Sequence, residues 1–312
     1  MNKVIGIGET VLDIIFKDNQ PIGAVPGGSV FNAMVSLGRC GIKTVLVTET
    51  GNDRIGDQVV SFMRDNGVDP DCVARYPHGQ SPISLAFLDE ENNAQYMFYK
   101  EQHSEHQDFT YPDINAGDIV VLGSYFALDP VVRQQVSGLL DKARDKGAII
   151  YYDVNFRPSH RSDIMKITPN LLDNLDYADI VRGSRDDFEV LYRKTDARSI
   201  FKSDISFYCK RFIFTQGSAP AIVMADNGFY GEYPVKTTEV VSTIGAGDNF
   251  NAGFIYGLLH HGVTRDDLDR GLDSHVWDSL LDYACKFAAE SCRSIYNYVS
   301  VEFGKEMNKQ YQ

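Results

Sequence analysis

The 312-residue sequence has little positive charge and no long apolar run. Lysine and arginine together number 30 against 43 aspartates and glutamates, which gives a formal net charge of −13. This balance argues against nucleic acid as a partner, because phosphate backbones bind basic surfaces. No apolar run approaches about 18 residues, so no membrane-spanning helix is expected.

Cysteine is sparse and follows no pattern. The five cysteines are an odd number without a C-x-x-C pair, so free thiols in a reducing compartment are expected. The opening residues MNKVIGIG already predict a strand, and they lack the charged, apolar and small-residue segments of a signal peptide. We therefore expect a cytoplasmic protein with no membrane partner.

Two common nucleotide-binding motifs are also missing. The phosphate loop G-x-x-x-x-G-K-[ST] does not occur. The opening Gly6-Ile7-Gly8 begins like a dinucleotide fingerprint, but Val11 stands where the third glycine belongs. A Rossmann oxidoreductase is therefore disfavoured.

Short apolar runs alternate with helical patterns along nearly the whole chain. This alternation predicts an α/β fold whose parallel sheet is covered by helices on both faces. The strand candidates are Val4–Gly8, Thr44–Thr48, Ile119–Leu122, Ala148–Tyr152, Ile180–Val181, Phe212–Thr215 and Ala221–Met224. The helix candidates are Ser29–Cys40, Gly56–Asn66, Val131–Lys146, Arg185–Tyr192 and Asn249–His261. No repeat or linker divides the chain, so residues 1–312 are expected to form a single domain.

Two strand-like segments fall outside this alternation. Val11–Phe16 precedes the first helix candidate, and Ser84–Leu88 with Ala94–Tyr99 predicts a hairpin around a polar turn. We expect residues 10–26 and 83–106, approximately, to form a small β-sheet. Such a sheet would act as a lid over a site at the strand ends.

The segment STIGAGDNF, residues 242–250, places Gly245, Ala246 and Gly247 directly before a helix pattern. Small side chains let an anion approach unpaired backbone N–H groups there, and the helix dipole adds favourable charge. Asp248 is placed to accept a proton from an attacking hydroxyl. By itself, the same pattern also fits a tight turn followed by an ordinary N-terminal helix acid.

Two further clusters carry groups that bind polar ligands. Gly27 and Gly28 precede the first helix candidate, with Asn32 one turn inside it and Asp13 on the extended segment before it. The amide and the carboxylate suit sugar hydroxyls. The stretch DVNFR follows a strand candidate and ends in Arg157, whose planar fork suits phosphate or carboxylate. Taken alone, a capped helix and a surface loop with a salt bridge also fit these patterns.

In this order and spacing, the clusters resemble the ribokinase-like, or PfkB, family of carbohydrate kinases. GGSVFNAMVSLGRCG at 27–41 and TIGAGDNFNAGFIYGL at 243–258 are similar to the two signatures of that family. DVNFR and the turn Thr215–Gly217 stand between them, and the resemblance runs from Gly6 to about residue 295. It implies a three-layer α/β/α sandwich with a mostly parallel central sheet and a β-sheet lid.

The resemblance also implies an activity, in which ATP and Mg²⁺ support phosphoryl transfer to a hydroxyl of a small sugar or nucleoside. It makes Asp248 the general base and the backbone of Gly245, Ala246 and Gly247 the anion hole. The implied substrate-binding residues are Asp13, Gly27, Gly28, Asn32, Tyr99 and Arg157. The implied nucleotide-side residues are Thr215, Gly217 and Asp187. No direct metal ligand is expected, although Asp187 is placed to reach Mg²⁺ through water.

The chain departs from the family pattern mainly on the nucleotide side. Ser242 and Ile244 stand within the usual Asp-Thr-Thr, whose aspartate commonly serves a monovalent cation, so the need for potassium stays open. The usual N-x-x-E motif becomes Ser184…Asp187, and Pro220 replaces the last glycine of the T-x-G-x-x-G turn.

The opening GETVLD at 8–13 resembles that of fructokinases more than that of ribokinases, and Phe98-Tyr99-Lys100 resembles the F-Y-R stretch found in fructokinases, so fructose is the expected substrate. The 2-keto-3-deoxygluconate kinases share a similar F-Y-R stretch, but Lys100 is a poorer fork for a carboxylate than arginine. Ribose and adenosine remain alternative substrates. A non-catalytic sugar-binding relative is a further alternative, and a nucleoside glycosidase of the same fold would not need the anion hole.

Two remaining features carry weaker expectations. His103 and His106 are spaced like metal ligands, but without a third ligand they predict a solvated loop. An apolar outer face on the lid would predict a homodimer through that face.

Overall fold

This computed structural model of the protein describes residues 2–90, 94–100, 108–235 and 239–311, so His103 and His106 lie outside the described residues. The strands are β1 Val4–Ile7, β2 Val11–Lys17, β3 Gln20–Gly27, β4 Thr44–Gly51, β5 Val68–Asp69, β6 Val73–Tyr76, β7 Ile83–Leu88, β8 Ala94–Tyr99, β9 Ile119–Gly123, β10 Ile149–Asp153, β11 Ile180–Ser184, β12 Arg211–Gln216, β13 Ala219–Ala225 and β14 Tyr230–Tyr233. The α-helices are α1 Ser29–Arg39, α2 Arg54–Asp65, α3 Arg133–Lys146, α4 Ile164–Tyr177, α5 Arg185–Tyr192, α6 Ala197–Ile200, α7 Ala246–His260, α8 Arg265–Arg270, α9 Ser274–Ser291 and α10 Val301–Tyr311.

Within the described ranges, ten strands form the central sheet, in the order β14-β13-β12-β11-β10-β9-β1-β4-β5 with β6 beside β4. The strands from β12 through β4 pair in parallel with their neighbours. Strands β13 and β14 extend this edge in the antiparallel direction. The mostly parallel sheet predicted from the sequence is confirmed, with an antiparallel edge that the alternating pattern did not reveal.

Alternate residues of each central strand enter two apolar cores on opposite faces of the sheet. In β10, Ile149 and Tyr151 pack in one core with residues of α1, α7 and α9. Ile150 and Tyr152 pack in the other core with residues of α3 and α4. Strands covered by helices on both faces are apolar at every position, which is why β10 shows no polar alternation before Asp153. The three-layer arrangement is therefore confirmed.

Helix α3 shows how the sequence sets the limits of these elements. Its buried residues Val136, Leu139, Leu140 and Ala143 form one stripe that faces the core. The helix ends at Gly147, which adopts the left-handed conformation with φ 74° and so closes the last turn without strain.

Strands β3, β2, β7 and β8 form a second, separate sheet in that order. Strand β2 pairs in parallel with β7, and the hairpins β2–β3 and β7–β8 are antiparallel. This sheet matches the small β-sheet expected from residues 10–26 and 83–106, of which 91–93 and 101–106 lie outside the described residues. We call it the lid sheet. Its pairing places Asp13 directly opposite Ser84.

The carboxyl-terminal part of the chain contains more structure than the sequence patterns indicated. Helix α7 begins at Ala246, earlier than the predicted Asn249, so the glycine turn supplies its first residues. The polar stretch after it folds as α8 and α9, and the side chain of Trp277 is buried in the core. None of the helices in the described part of the chain has the length and apolar character needed to cross a membrane.

Candidate active site

Two cavities meet at the start of helix α7. One lies under the lid sheet, has a volume of about 590 Å³ and is lined by Asp13, Asn32 and Tyr96 among others. We call it the lid cavity. The second lies beside the glycine turn, has a volume of about 630 Å³ and is lined by Arg182, Asp187 and Gly247 among others. We call it the turn cavity. The residues that line both are Tyr96, Asn155, Arg157, Ile244, Gly245 and Asp248.

Asp248 stands at this junction, in the first turn of α7. Its Oδ2 accepts a hydrogen bond of 2.8 Å from Asn32 Nδ2, which comes from α1. Burial raises the pKa of Asp248 to about 7; the hydrogen bond from Asn32 opposes this rise and the charge of Asp153 adds to it. A carboxylate with a pKa near neutrality is suited to accept a proton during a reaction.

The glycine turn depends on close backbone packing. Gly245 adopts φ 72°, and a Cβ at this position would lie 2.7 Å from the Asn297 carbonyl oxygen. The Ala246 N–H, which the family resemblance assigned to the anion hole, instead donates to the Thr243 carbonyl (3.2 Å) and so closes the turn. The N–H groups of Gly247 and Asp248 occupy helix positions that lack an acceptor within the helix, so they are the better candidates to bind an anion.

Asn249 fixes the turn to two other parts of the chain. Its Nδ2 donates to the carbonyl oxygens of Gly245 and Asn297, at 2.8 Å each. Its Oδ1 accepts a hydrogen bond of 2.5 Å from Ser36 Oγ on α1. The side chain that follows the proposed base therefore holds the backbone of the turn in place.

Asp13 lies in the wall of the lid cavity. It accepts hydrogen bonds from Ser84 Oγ (2.5 Å) and Asn297 Nδ2 (3.1 Å). Burial raises the pKa of Asp13 to about 6, against these two hydrogen bonds. Gly28 lines the same cavity. Gly27 packs against Asp13, and an added Cβ would overlap the carboxylate, so this glycine makes room for Asp13.

The lid strand β8 contributes Tyr96 to the lid cavity, whereas the sequence-based prediction named Tyr99. Tyr96, Phe98 and Lys100 line the lid cavity, whereas Tyr99 is not among its described lining residues and is 51% exposed. Neighbouring residues of a strand point to opposite faces of the sheet, so Tyr99 shares the outer face with Met97. The structure thus places Tyr96, and not Tyr99, at the candidate site.

Arg157 lines both cavities, and its guanidinium carbon lies 5.9 Å from the centroid of the Tyr96 ring. Its charge helps to lower the pKa of Asp248. Two non-glycine residues of the lid cavity have positive φ angles, Asn155 at 35° and Ser124 at 61°. Such backbone strain concentrates at functional sites, where the surrounding structure enforces it.

A buried polar network lies behind the glycine turn. Arg182 Nη1 lies 2.9 Å from Asp153 Oδ1, and Arg182 Nη2 donates to Thr215 Oγ1 at 2.6 Å. Asn251 on α7 donates to the other oxygen of Asp153 at 2.7 Å. Thr215 therefore contacts the site through Arg182. Neither Thr215 nor Gly217, which turns with φ 62°, is among the described residues that line the two cavities.

Asp187 lines the turn cavity but is committed to local hydrogen bonds. It accepts from Phe156 N (2.7 Å), Ser184 N (2.6 Å) and Ser184 Oγ (2.7 Å), and so completes the capping box of α5. Burial raises the pKa of Asp187. Because both oxygens already accept hydrogen bonds, Asp187 fits a contact to a metal through water better than direct ligation. No cluster of three or more metal-ligating side chains occurs within the described ranges.

A three-layer α/β sandwich with a small second sheet, and a buried carboxylate in the first turn of a helix, are features expected of a ribokinase-like phosphotransferase. The sequence model of the pfkB family carbohydrate kinases matches residues 1–300. The chain therefore belongs to the pfkB family of carbohydrate kinases, and the resemblance seen in its motifs is confirmed.

Relatives at low identity agree with this assignment. The chain is 26% identical over 247 residues to the 5-dehydro-2-deoxygluconokinase of Geobacillus kaustophilus, covering 75% of this chain and 72% of that protein. It is 25% identical over 267 residues to the fructokinase of Rhizobium leguminosarum bv. trifolii, covering 82% and 79%. The structure of the Vibrio cholerae fructokinase with fructose, ADP and calcium superposes with a TM-score of 0.83 at 20% identity, covering 96% of each chain.

Sequence reasoning missed several residues that build the site. Asn297 lies 284 positions from Asp13, which it contacts, and no local pattern links the two. Arg182 and Tyr96 did carry a signal. A charged residue inside the apolar strand Ile180–Ser184 is rarely buried without a partner. Period-two alternation along β8 separates Tyr96 from Tyr99 once one face is assigned to the site.

Proposed function

We propose that this carbohydrate kinase transfers the γ-phosphoryl group of ATP to a hydroxyl of a ketohexose, with fructose as the leading candidate. The observation that carries the proposal is the position of Asp248. Its carboxylate is held by Asn32 (2.8 Å) where the lid cavity meets the turn cavity. A base at this junction contacts a sugar hydroxyl on one side and a phosphate on the other.

In this proposal the lid cavity holds the sugar. The carboxylate of Asp13 accepts hydrogen bonds from sugar hydroxyls, and the Asn32 amide forms a hydrogen bond with a further hydroxyl. Asn32 Oδ1 is buried and has no hydrogen-bond partner among the described residues. Tyr96 and Phe98 on the lid cover the apolar face of the ring, and a covered site keeps water away from the phosphoryl group.

The turn cavity is proposed to hold the phosphates of ATP. The N–H groups of Gly247 and Asp248 and the dipole of α7 favour negative charge there. Arg157, which lines both cavities, is placed to contact the group in transit. Mg²⁺ would neutralise phosphate charge, and Asp187 would contact it through water, since Mg²⁺ usually keeps several waters.

The chemical step then follows from these positions. Asp248 takes the proton of the sugar hydroxyl while the hydroxyl oxygen attacks the γ-phosphorus. The bond between the γ-phosphorus and the bridging oxygen of ADP breaks, and the negative charge stays on ADP. The backbone donors at the glycine turn stabilise the charge on the transferring group.

A second substrate deserves a test, because Lys100 and Arg157 place positive charge in the lid cavity. Such charge suits a sugar acid, and the relatives include 5-dehydro-2-deoxygluconokinases as well as fructokinases. Lys100 is 3.9 Å from Glu9, however, and this pairing reduces the charge available to a carboxylate. We therefore rank the sugar acid second.

The purified protein would be assayed with ATP and Mg²⁺ against fructose, 5-dehydro-2-deoxygluconate, 2-keto-3-deoxygluconate, ribose and adenosine. We expect the highest kcat/KM with fructose. The highest kcat/KM with a sugar acid would favour the second candidate, and turnover confined to ribose or adenosine would contradict both.

The outer surface of the lid exposes Ile22, Met97 and Tyr99, with 47%, 50% and 51% of each residue accessible. We retain the prediction that two copies pair through this surface. Light scattering at working concentration should give the mass of a dimer, and a monomer mass would contradict the prediction.

A further inference from the structure

Arg182 lies beside the candidate site but has no role in the mechanism proposed above. It lies on β11, is only 7% exposed, and contributes to the wall of the turn cavity. A Cβ built on Gly247 would lie 3.1 Å from Arg182 Nη2. The guanidinium therefore packs directly behind the backbone that is proposed to bind phosphate.

The guanidinium is held by two partners on neighbouring strands. Asp153 on β10 binds Nη1 at 2.9 Å, and Thr215 on β12 accepts from Nη2 at 2.6 Å. The Nε atom is buried and has no hydrogen-bond partner among the described residues. A planar fork tied at both ends cannot turn away, so its charge stays fixed relative to Gly247.

Several carboxylates lie close to the positive charge of Arg182. Asp153 and Asp187 both act on Arg182: burial favours its neutral form, but their charges outweigh burial and raise its pKa. Asp248 belongs to the same group, because its pKa is raised by Asp153 and lowered by Arg182. Without Arg182, the buried acids Asp187 and Asp248 would line the turn cavity with Arg157 as the remaining basic residue among its described lining residues.

We propose that Arg182 is a positioning residue for phosphoryl transfer, whose fixed positive charge behind Gly247 favours the bound triphosphate and the charge developing on the transferring group. The inference rests on the proposed kinase function. It explains why a charged residue interrupts an otherwise apolar central strand. A preorganised charge in a site shielded from water costs no reorganisation during the reaction.

The main test compares R182M with the double variant R182M/D153N. R182M leaves Asp153 buried without its charged partner, which is destabilising on its own, whereas the double variant removes the whole ion pair and should fold. We expect kcat to fall roughly tenfold to a hundredfold in both, somewhat less than the loss of a direct oxyanion donor. The KM for the sugar should change less than about twofold, because the lid cavity is untouched.

The dependence of kcat/KM on pH provides a further test, because a purely structural role of Arg182 would leave this dependence unchanged. The charged groups facing Asp248 are Asp153, Arg157 and Arg182, with the neutral amide of Asn32 bonded to it. Removing only the Arg182 charge should shift the acid limb of kcat/KM to higher pH. In R182M/D153N the opposing charges are both gone, so the limb should return towards that of the wild type.

R211M is the matched control. Arg211 is similarly buried, at 5% exposure, but it begins β12, at the strand end opposite to Thr215. There it donates to Leu268 O and Asp179 O and pairs with Asp269. We expect R211M to lower thermal stability and leave kcat of the folded enzyme unchanged. R182K should recover part of the lost rate, because it restores the charge without the fork.

Binding of a non-hydrolysable ATP analogue with Mg²⁺, measured by calorimetry, separates this inference from the proposed function. We expect the Kd to rise roughly tenfold in R182M/D153N. Wild-type kcat and wild-type Kd in the double variant would overturn the role of Arg182, and so would full recovery of kcat on adding D153N to R182M. A wild-type enzyme that binds the analogue and phosphorylates no sugar would contradict the proposed function instead.

Discussion

The lid cavity and the turn cavity share Asp248 but are built by different means. The lid cavity presents side chains, among them Asp13, Asn32 and Tyr96, that come from separate segments of the chain. The turn cavity presents backbone of the first turn of α7, supported from behind by Arg182. Substitutions can change the side chains of the lid cavity without altering the fold. The backbone of the first turn of α7 cannot change without altering the fold. In the proposed function, the lid cavity therefore sets sugar specificity and the turn cavity carries out phosphoryl transfer.

The two sides also differ in how they treat buried charge. On the lid side, neutral donors from Ser84 and Asn297 satisfy Asp13, whose pKa rises to about 6. On the turn side, Asp153 is paired with the full charge of Arg182. Neutral donors leave the charge of the Asp13 carboxylate uncompensated, so it can still attract substrate hydroxyls. An ion pair fixes the field of the site independently of the substrate.

The largest effect is expected for D248N, which removes the proposed base, a residue that lines both cavities. We expect kcat to fall by at least about a hundredfold, the usual scale for a general base, with sugar binding retained. Steady-state kinetics and calorimetric sugar binding would measure the two quantities. Turnover near that of the wild type would remove Asp248 from the mechanism.

Stability provides the control for D248N. Because burial raises the pKa of Asp248 to about 7, the folded state binds its proton more tightly than the unfolded state does. Ionisation therefore destabilises the fold as pH rises from the usual aspartate range towards about 7. D248N should gain up to about 4 kcal/mol over the wild type at about pH 8 and little at about pH 4. Thermal melts at both pH values would show whether lost turnover reflects unfolding.

D13N should act on the sugar side alone. Replacing the carboxylate weakens its bonds to sugar hydroxyls, so we expect the sugar KM to rise roughly tenfold to a hundredfold while the KM for ATP is unchanged. D118N is the matched control, because Asp118 is equally buried but accepts from Lys3 N and Asn115 N away from both cavities. An equal rise in both Michaelis constants would contradict the division between the two sides.

The pH dependence of kcat/KM should show two ionisations, that of Asp248 on the phosphate side and that of Asp13 on the sugar side. Below about 7, the pKa of Asp248, kcat/KM should fall about tenfold per pH unit. Below about 6, the pKa of Asp13, the fall should become steeper as a second carboxylate is protonated. D13N should remove the second step and keep the first. A profile with no acid limb above about pH 5 would contradict both assignments.

A pair of lid variants tests which face of β8 meets the substrate. Y96A should raise the sugar KM several-fold, because Tyr96 lines the lid cavity and an aromatic contact contributes about 1 kcal/mol. Y99A should change the sugar KM less than about twofold, since Tyr99 lies on the outer face of the strand. The opposite ranking would restore Tyr99 as the substrate contact.

The smallest effect is expected from potassium. Ser242 stands where family members often have an aspartate, and its buried hydroxyl accepts from Ile244 N at 3.2 Å. A neutral hydroxyl attracts a monovalent cation less than a carboxylate does. We expect KCl to change kcat less than about twofold relative to tetramethylammonium chloride at the same ionic strength. A larger, saturable activation would show that a cation site persists without the aspartate.

Much of the fold followed from local patterns. The alternation of apolar runs and helix patterns predicted the three layers, and the limits of α5 and β8 matched Arg185–Tyr192 and Ala94–Tyr99. The patterns did not predict the antiparallel edge formed by β13 and β14. Strand direction depends on how the chain crosses the sheet, and an apolar run of a few residues carries no record of that path.

The sequence by itself determined the position of the glycine turn, because small residues stand directly before a helix pattern and Asp248 follows them. The structure agrees at Gly245, whose φ of 72° is one that glycine adopts easily. Only the tertiary structure decided what surrounds them. It turned the Ala246 N–H inward, placed Tyr96 at the site, and brought Arg182 and Asn297 to the turn. These outcomes depend on contacts between residues distant in sequence, whose positions are set by packing of the whole chain.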